Sequence, residues 1–329
     1  MSEPRVSTVS TNGVDLVVHE AGDPANPTVV LSHGFPELAY SWRHQLRSLS
    51  DAGYHVVAPD QRGYGHSSAP RDVQAYGIGQ LTGDLAGLLD HYGKDDAVFV
   101  GHDWGAMIVW EMAKLHPTRV RAVCGVSVPF VAWPAPPTQM MQMVYGDRFF
   151  YILYFQPVGP AEAELEADTE RTMAGILYGA SGPGFASIDR TNIELPPMEG
   201  TGFLTQMPVV PPLPLVSAEG PWLTADDLAV YAGEFAHSGF FGPVSYYRNL
   251  DANFAATRHL GAADVTMPSY FIGGSLDPVA TMDPTGIERM QTTLPNFRGY
   301  TMIEGAGHWT QQEAPRQFDA ALLGFLDSL

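Results

Sequence analysis

Three titratable residues stand at turns where they could do chemistry together: Asp103 in Gly101-His102-Asp103-Trp104-Gly105, Asp277 in Leu276-Asp277-Pro278, and His308 in Gly305-Ala306-Gly307-His308. Each alone is weak, since an Asp before Pro is usually a turn former and a Gly-rich loop can carry a His without using it. Their order along the chain, nucleophile, then acid, then histidine, gives them joint meaning. The Asp in place of the commoner Ser narrows the reaction. A serine that attacked saturated carbon would leave an ether, which resists hydrolysis, whereas a carboxylate leaves an ester that water can open at the carbonyl. Asp103, ionised at neutral pH, needs no base for the first step. His308, oriented by Asp277 through its other ring nitrogen, would activate the water of the second.

That second step develops negative charge on the Asp103 carbonyl oxygen and so needs donors. The backbone N–H of Trp104 is one, and that of Phe35, in the turn His33-Gly34-Phe35-Pro36, is the other. His33, Pro36, Glu37 and His102 flank these turns and are expected either to hold the water or to anchor the loops. An epoxide or an alkyl halide suits this scheme as electrophile, and a carboxylic ester or peptide suits it poorly.

The elements that must position these residues alternate between two periods. Apolar runs at 14–19, 28–32, 55–59, 98–100, 121–128, 269–273 and 298–303 read as strands, and the patterns at 42–49, 81–89 and 107–115 as helices. The alternation predicts an α/β fold with a mostly parallel sheet and helices on both faces. After Pro129 the texture changes. Helices are expected over 140–155, 161–173 and 225–236, and a Gly/Pro-rich stretch at 181–221 shows no convincing period. The simplest division is a core of residues 1–130 and 251–329 interrupted by a mainly helical lid, 131–250.

Composition bounds the function. The chain has 329 residues, enough for a full core, and 17 Lys and Arg against 36 Asp and Glu give a net charge of −19, which speaks against a nucleic-acid partner. The single cysteine, Cys124, lies in an apolar run and reads as a small buried hydrophobe. No apolar stretch approaches the length of a membrane span and residues 1–10 carry no leader pattern, so a cytosolic protein is expected. No paired-histidine spacing points to a metal. The Gly63-Tyr64-Gly65-His66-Ser67-Ser68 loop half matches a dinucleotide fingerprint but lacks its last glycine, so no cofactor is expected.

Over nearly its whole length the sequence resembles the α/β-hydrolase-fold epoxide hydrolases of the soluble and microbial type. The matching pieces are His33-Gly34-Phe35-Pro36-Glu37, Asp60-Gln61-Arg62-Gly63-Tyr64-Gly65-His66-Ser67, the Asp103 turn, Tyr151-Ile152-Leu153-Tyr154-Phe155-Gln156 and Tyr246-Tyr247-Arg248-Asn249. Haloalkane dehalogenases share the Asp-Trp turn, but a tyrosine from each of two lid segments is the mark of the epoxide enzymes. From the residues alone Tyr151 rivals Tyr154, and Tyr246 rivals Tyr247. The resemblance implies Tyr154 and Tyr247, and it implies a pocket lined by Trp104 with Phe35 and Tyr246. Such phenols, with a pKa of about 10, stay neutral at pH 7 and can protonate the alkoxide that an opening epoxide creates, which a halide does not need. The implied reaction converts a small lipophilic epoxide and water to a vicinal diol through an Asp103 ester, without cofactor or metal. The rival readings are a haloalkane dehalogenase and a non-catalytic ligand-binding protein on the same fold.

Overall fold

A computed structural model describes residues 4–188 and 194–329. The strands are β1 (Arg5–Thr11), β2 (Val14–Ala21), β3 (Thr28–Ser32), β4 (His55–Pro59), β5 (Ala97–His102), β6 (Val120–Val126), β7 (Leu215–Ser217), β8 (Gly220–Leu223), β9 (Ser269–Gly274) and β10 (Phe297–Ile303). Eight of them form one sheet in the order β1-β2-β4-β3-β5-β6-β9-β10, while β7 and β8 make a separate hairpin. The pairs β1–β2 and β2–β4 are antiparallel and all later pairs of the large sheet are parallel.

The central strands are apolar throughout because both faces are covered, and their alternation decides which residue meets which layer. Val29, Leu31, Val56, Ala58, Val98 and Val100 pack with Trp42, which caps the helix Arg43–Asp51, with Leu46 and Leu49 of that helix, and with Phe318 and Leu322 of the helix Pro315–Leu326. Val30, Val57 and Phe99 face the helices Ile78–His91 and Trp104–Leu115. Chain order reverses between β3 and β5, so the loops after these two strands diverge and leave a crevice at their carboxyl ends. Parallel pairing puts the ends of β3, β5, β9 and β10 on one edge, which is where Phe35, Asp103, Asp277 and His308 follow.

Between β6 and β9 the expected helices are present but divided. The run at 140–155 is a helix Pro137–Tyr145, stopped at Gly146 with φ 58°, and then a single turn Tyr151–Tyr154. The run at 161–173 is Pro160–Glu166 followed by Thr169–Ala180, because the Asp168 carboxylate accepts the Arg171 amide and starts a new helix. The helix Ala225–Ser238 begins at a capping box of Thr224 and Asp227. Tyr246 and Tyr247 lie on the helix Phe241–Arg248. The aperiodic stretch at 181–221 carries the short helix Gly182–Ala186, a turn of 3₁₀ helix and the β7–β8 hairpin, and its residues 189–193 lie outside the described residues. The β1 strand, with only Val9 and Thr11 buried, gave too little apolar alternation to be expected. Leu165, Leu177, Tyr231 and Phe235 of the insertion join the same apolar cluster as Phe99 and Trp104, so insertion and sheet share one core.

The turn after β5 has no room for side chains on its glycines. A Cβ on Gly101 would strike the Gly105 carbonyl and lie 2.7 Å from the Ala106 nitrogen, all of it backbone that cannot rotate away. Gly101→Ala is therefore expected to destabilise the protein by about 1–3 kcal/mol, the usual cost of overpacking, read as a lower urea midpoint.

Candidate active site

The helix Trp104–Leu115 starts one residue after β5 ends, and Asp103 takes the bend with φ 53° and ψ −116°. A non-glycine residue holds such angles only when its surroundings over-determine them. Two more glycines do so here: a Cβ on Gly34 would run into the Asp103 side chain, and one on Gly105 into the Ser32 carbonyl. The close approach lets the Phe35 amide donate to Asp103 Oδ1 at 2.8 Å. The Trp104 amide holds the first position of the helix, where no intrahelical acceptor exists, and the helix amino terminus favours negative charge beside it.

Asp277 does two things at the end of β9. Its Oδ1 accepts the Val279 amide at 2.8 Å, capping a short helix, and its two oxygens lie 3.0 and 3.2 Å from His308 Nδ1. His308 Nε2 faces Asp103 Oδ2 at 3.6 Å, longer than a hydrogen bond. Burial opposes charge on this ring, yet Asp277 and then Asp103 raise its pKa well above the ordinary 6.5. Burial would likewise raise Asp277, but the His308 charge keeps it below its ordinary value.

Behind this pair sits a second one. The His308 carbonyl accepts from His102 Nε2 at 2.7 Å and from Ser127 Oγ at 3.0 Å. His102 Nδ1 pairs with Glu37, whose other oxygen accepts from Gln311 at 2.9 Å and Gln312 at 3.1 Å. Both ring nitrogens of His102 thus face acceptors, which two N–H groups satisfy. Burial would raise the Glu37 carboxyl, but the His102 charge and hydrogen bond bring it down to about 2. His33 instead donates from Nδ1 to the Gly34 carbonyl of its own turn and accepts at Nε2 from the Gln61 amide of the turn after β4, and burial lowers it to about 4. Pro36 follows a cis peptide from Phe35. None of His33, Pro36, Glu37 and His102 lines the cavity over Asp103.

That cavity holds about 230 Å³. Asp103, His308, Tyr151 and Tyr247 are its chemical groups, and Phe35, Ile176, Phe185, Phe203, Met207 and Trp309 supply apolar wall. Three expectations are corrected. Tyr154 does not face Asp103: its hydroxyl donates to Glu164 at 2.8 Å, and Tyr151, one turn earlier, takes the place facing the cavity. Tyr246 is fully buried beneath the wall and donates to the Arg62 carbonyl at 3.0 Å. Trp104 lies behind the wall rather than in it, with its ring centroid 5.1 Å from that of Tyr247, a hydrogen bond to the Tyr247 hydroxyl, and a separate cavity on its far side. Tyr151 and Tyr247 are 5.8 Å apart between centroids. Burial first, and the Asp103 charge second, push both phenols up, so both stay neutral. Gln311, Gln312 and Ser127 had no motif to announce them. Ile176, Phe185 and Met207 come from segments whose apolar residues follow no period that separates lining from packing.

A family model described as the alpha/beta hydrolase fold matches residues 27–315. The chain is 47% identical to Epoxide hydrolase A of Mycobacterium tuberculosis, over 100% of this chain and 99% of that protein. Among solved structures it is similar to Epoxide Hydrolase A from Mycobacterium thermoresistibile, at 48% identity and a TM-score of 0.89 with 98% of each chain covered. It is also similar to an epoxide hydrolase from an endophytic Streptomyces, at 36% identity and a TM-score of 0.91, covering 99% of this chain and 96% of that one.

Because the Glu37 carboxyl is held at about 2, below its ordinary 4.5, it contributes stability that is complete above about pH 4.5 and is lost as the pH falls toward 2. Glu37→Gln lacks that contribution and leaves a buried His102 without its charge partner. The variant is expected to be destabilised by about 3 kcal/mol or more at pH 7, with the gap to the parent narrowing below pH 4.5 in urea titrations.

Proposed function

Because this chain belongs to the α/β-hydrolase-fold epoxide hydrolases, hydrolases that act on ether bonds, we propose that it hydrolyses a small lipophilic epoxide through a covalent ester on Asp103. The observation that carries this reading is the division of labour on one carboxylate. Oδ1 receives the Phe35 amide while Oδ2 faces both the cavity and His308 Nε2, under two neutral phenols.

In the first step Oδ2 bonds to an epoxide carbon, the ring C–O bond breaks, and the freed oxygen takes a proton from Tyr151 or Tyr247. Ester formation removes the Asp103 charge, one of the two that hold the His308 ring protonated. The ring then passes its extra proton to the tyrosinate and becomes a base. In the second step His308 Nε2 takes a proton from water as the water oxygen attacks the ester carbonyl carbon. The oxyanion forms on Oδ1, toward the Phe35 and Trp104 amides. Collapse breaks the bond to the diol oxygen, which takes the proton from His308, and the regenerated carboxyl returns its own proton to the ring. Residues 131–250 act as the lid that roofs this chemistry. Two phenols over the nucleophile favour an oxygen leaving group over halide, which sets the dehalogenase reading second.

His308→Gln is expected to form the ester and keep it, so that incubation with a turned-over epoxide adds the substrate mass to the peptide containing Asp103. No adduct with any turned-over epoxide would remove the mechanism. The double variant Tyr151→Phe with Tyr247→Phe should lose diol formation by about 100-fold or more, while Tyr154→Phe stays within about twofold of the parent. Chloro- and bromoalkanes offered beside aryl, terminal and fatty epoxides should release no halide.

A further inference from the structure

Glu313 takes no part in these steps, yet its carboxylate is 1% exposed and collects three backbone amides from two distant parts of the chain. Oε2 accepts from Gly307 at 3.1 Å and from Gly182 at 2.9 Å, and Oε1 accepts from Trp309 at 3.2 Å. Gly307 and Trp309 are the neighbours of His308 on either side. Gly182 opens the short helix that brings Phe185 to the cavity wall. The same two stretches are joined twice more, by the His308 amide donating to the Ala180 carbonyl at 2.9 Å and by the Trp309 indole donating to the Leu177 carbonyl at 2.6 Å. Their contact is tight on both sides: a Cβ on Gly182 would lie 3.1 Å from the Gly307 nitrogen, and one on Gly307 would strike the Gly182 nitrogen.

We propose that Glu313 is a positioning residue for His308, clamping the two amides that flank the histidine and tying them to the roof of the cavity. The inference rests on the Asp103 ester reading. Burial pushes the Glu313 carboxyl up to about 7 while the three amides hold it down. In its ionised form it accepts on both oxygens through charge-assisted hydrogen bonds, so one buried group fixes three amides. A glutamine accepts on one side only and turns an NH₂ toward an amide N–H. The ring nitrogen that Asp277 does not hold must meet a water lined up on the ester carbonyl, and a displacement of about 1 Å in such a site can cost on the order of 100-fold. Ring opening uses Asp103 and the tyrosines and takes no proton from His308. Loss of Glu313 therefore falls on ester hydrolysis and spares ester formation.

Rapid quench of the parent, His308→Gln and Glu313→Gln with one epoxide, followed by intact-protein mass, separates the two steps. Glu313→Gln is expected to form the ester within about twofold of the parent rate and to hydrolyse it about 10-fold or more slowly, so that ester accumulates and KM falls together with kcat. Glu313→Asp, which keeps the carboxyl on a shorter stem, should lie between, and it decides by the same criterion if Glu313→Gln does not fold. Equal slowing of both steps, or unchanged hydrolysis, would overturn the positioning role. Absence of ester in His308→Gln would instead overturn the Asp103 reading on which it rests.

Discussion

The active edge depends on how closely two backbone turns approach each other. The turn after β3 and the turn after β5 belong to adjacent parallel strands, and Gly34, Gly101 and Gly105 remove the side chains that would hold them apart. Only at that separation does the Phe35 amide reach Asp103 Oδ1. The positive φ of Asp103 costs of order 1–3 kcal/mol and persists because strand and helix on either side are fixed by burial. Phe99, fully buried two turns of the pleat earlier, alone contributes about 1.5–3 kcal/mol to that anchoring. Asp103 is thus held by the core of the sheet as well as by the Phe35 amide.

A second constraint is electrostatic and has two layers. His308 faces the cavity with Asp277 buried beside it, His102 and Glu37 lie fully buried behind them, and the His308 carbonyl accepts from His102 and so joins the layers. The rear pair is shielded from solvent on all sides, and removal of either partner leaves the other buried without its hydrogen-bond partner. Gln311 and Gln312, on the turn that follows His308, close the circuit by donating to Glu37. The loop that carries the histidine is held from behind by this circuit and from above by the insertion.

How far the sequence discloses such a site follows from what each feature is made of. The turn at Asp103 and the order Asp103, Asp277, His308 were legible because glycine spacing and strand ends are written locally. The tyrosines were not, because Tyr151 and Tyr154 stand three residues apart on a single helical turn and differ by only about 60° around it. What separates them is Glu164, ten residues on, which takes the Tyr154 hydroxyl, and no periodicity rule connects the two. Tyr246 and Tyr247, about 100° apart, could only be divided once the Arg62 carbonyl was known to sit beneath one of them. The sheet was readable from alternation, and its first strand was missed because β1 buries so little. The broken helices were overrun because their stops, Gly146 and Asp168, are single residues inside otherwise apolar periods.

In the proposed reaction the charge of Asp103 reaches beyond its attack on the epoxide. It stands among the causes that raise His308 and, after burial, it is the leading one for Tyr151 and Tyr247. While the carboxylate is free, the phenols therefore hold their protons as acids must, and the histidine holds one that keeps it from acting as a base. In the proposed reaction the ester cancels that charge, and all three groups become more acidic at the same moment. The acids have by then been used, and the base is needed next. In that scheme a single partly buried carboxylate, by being consumed and restored, would set the order of the two half-reactions.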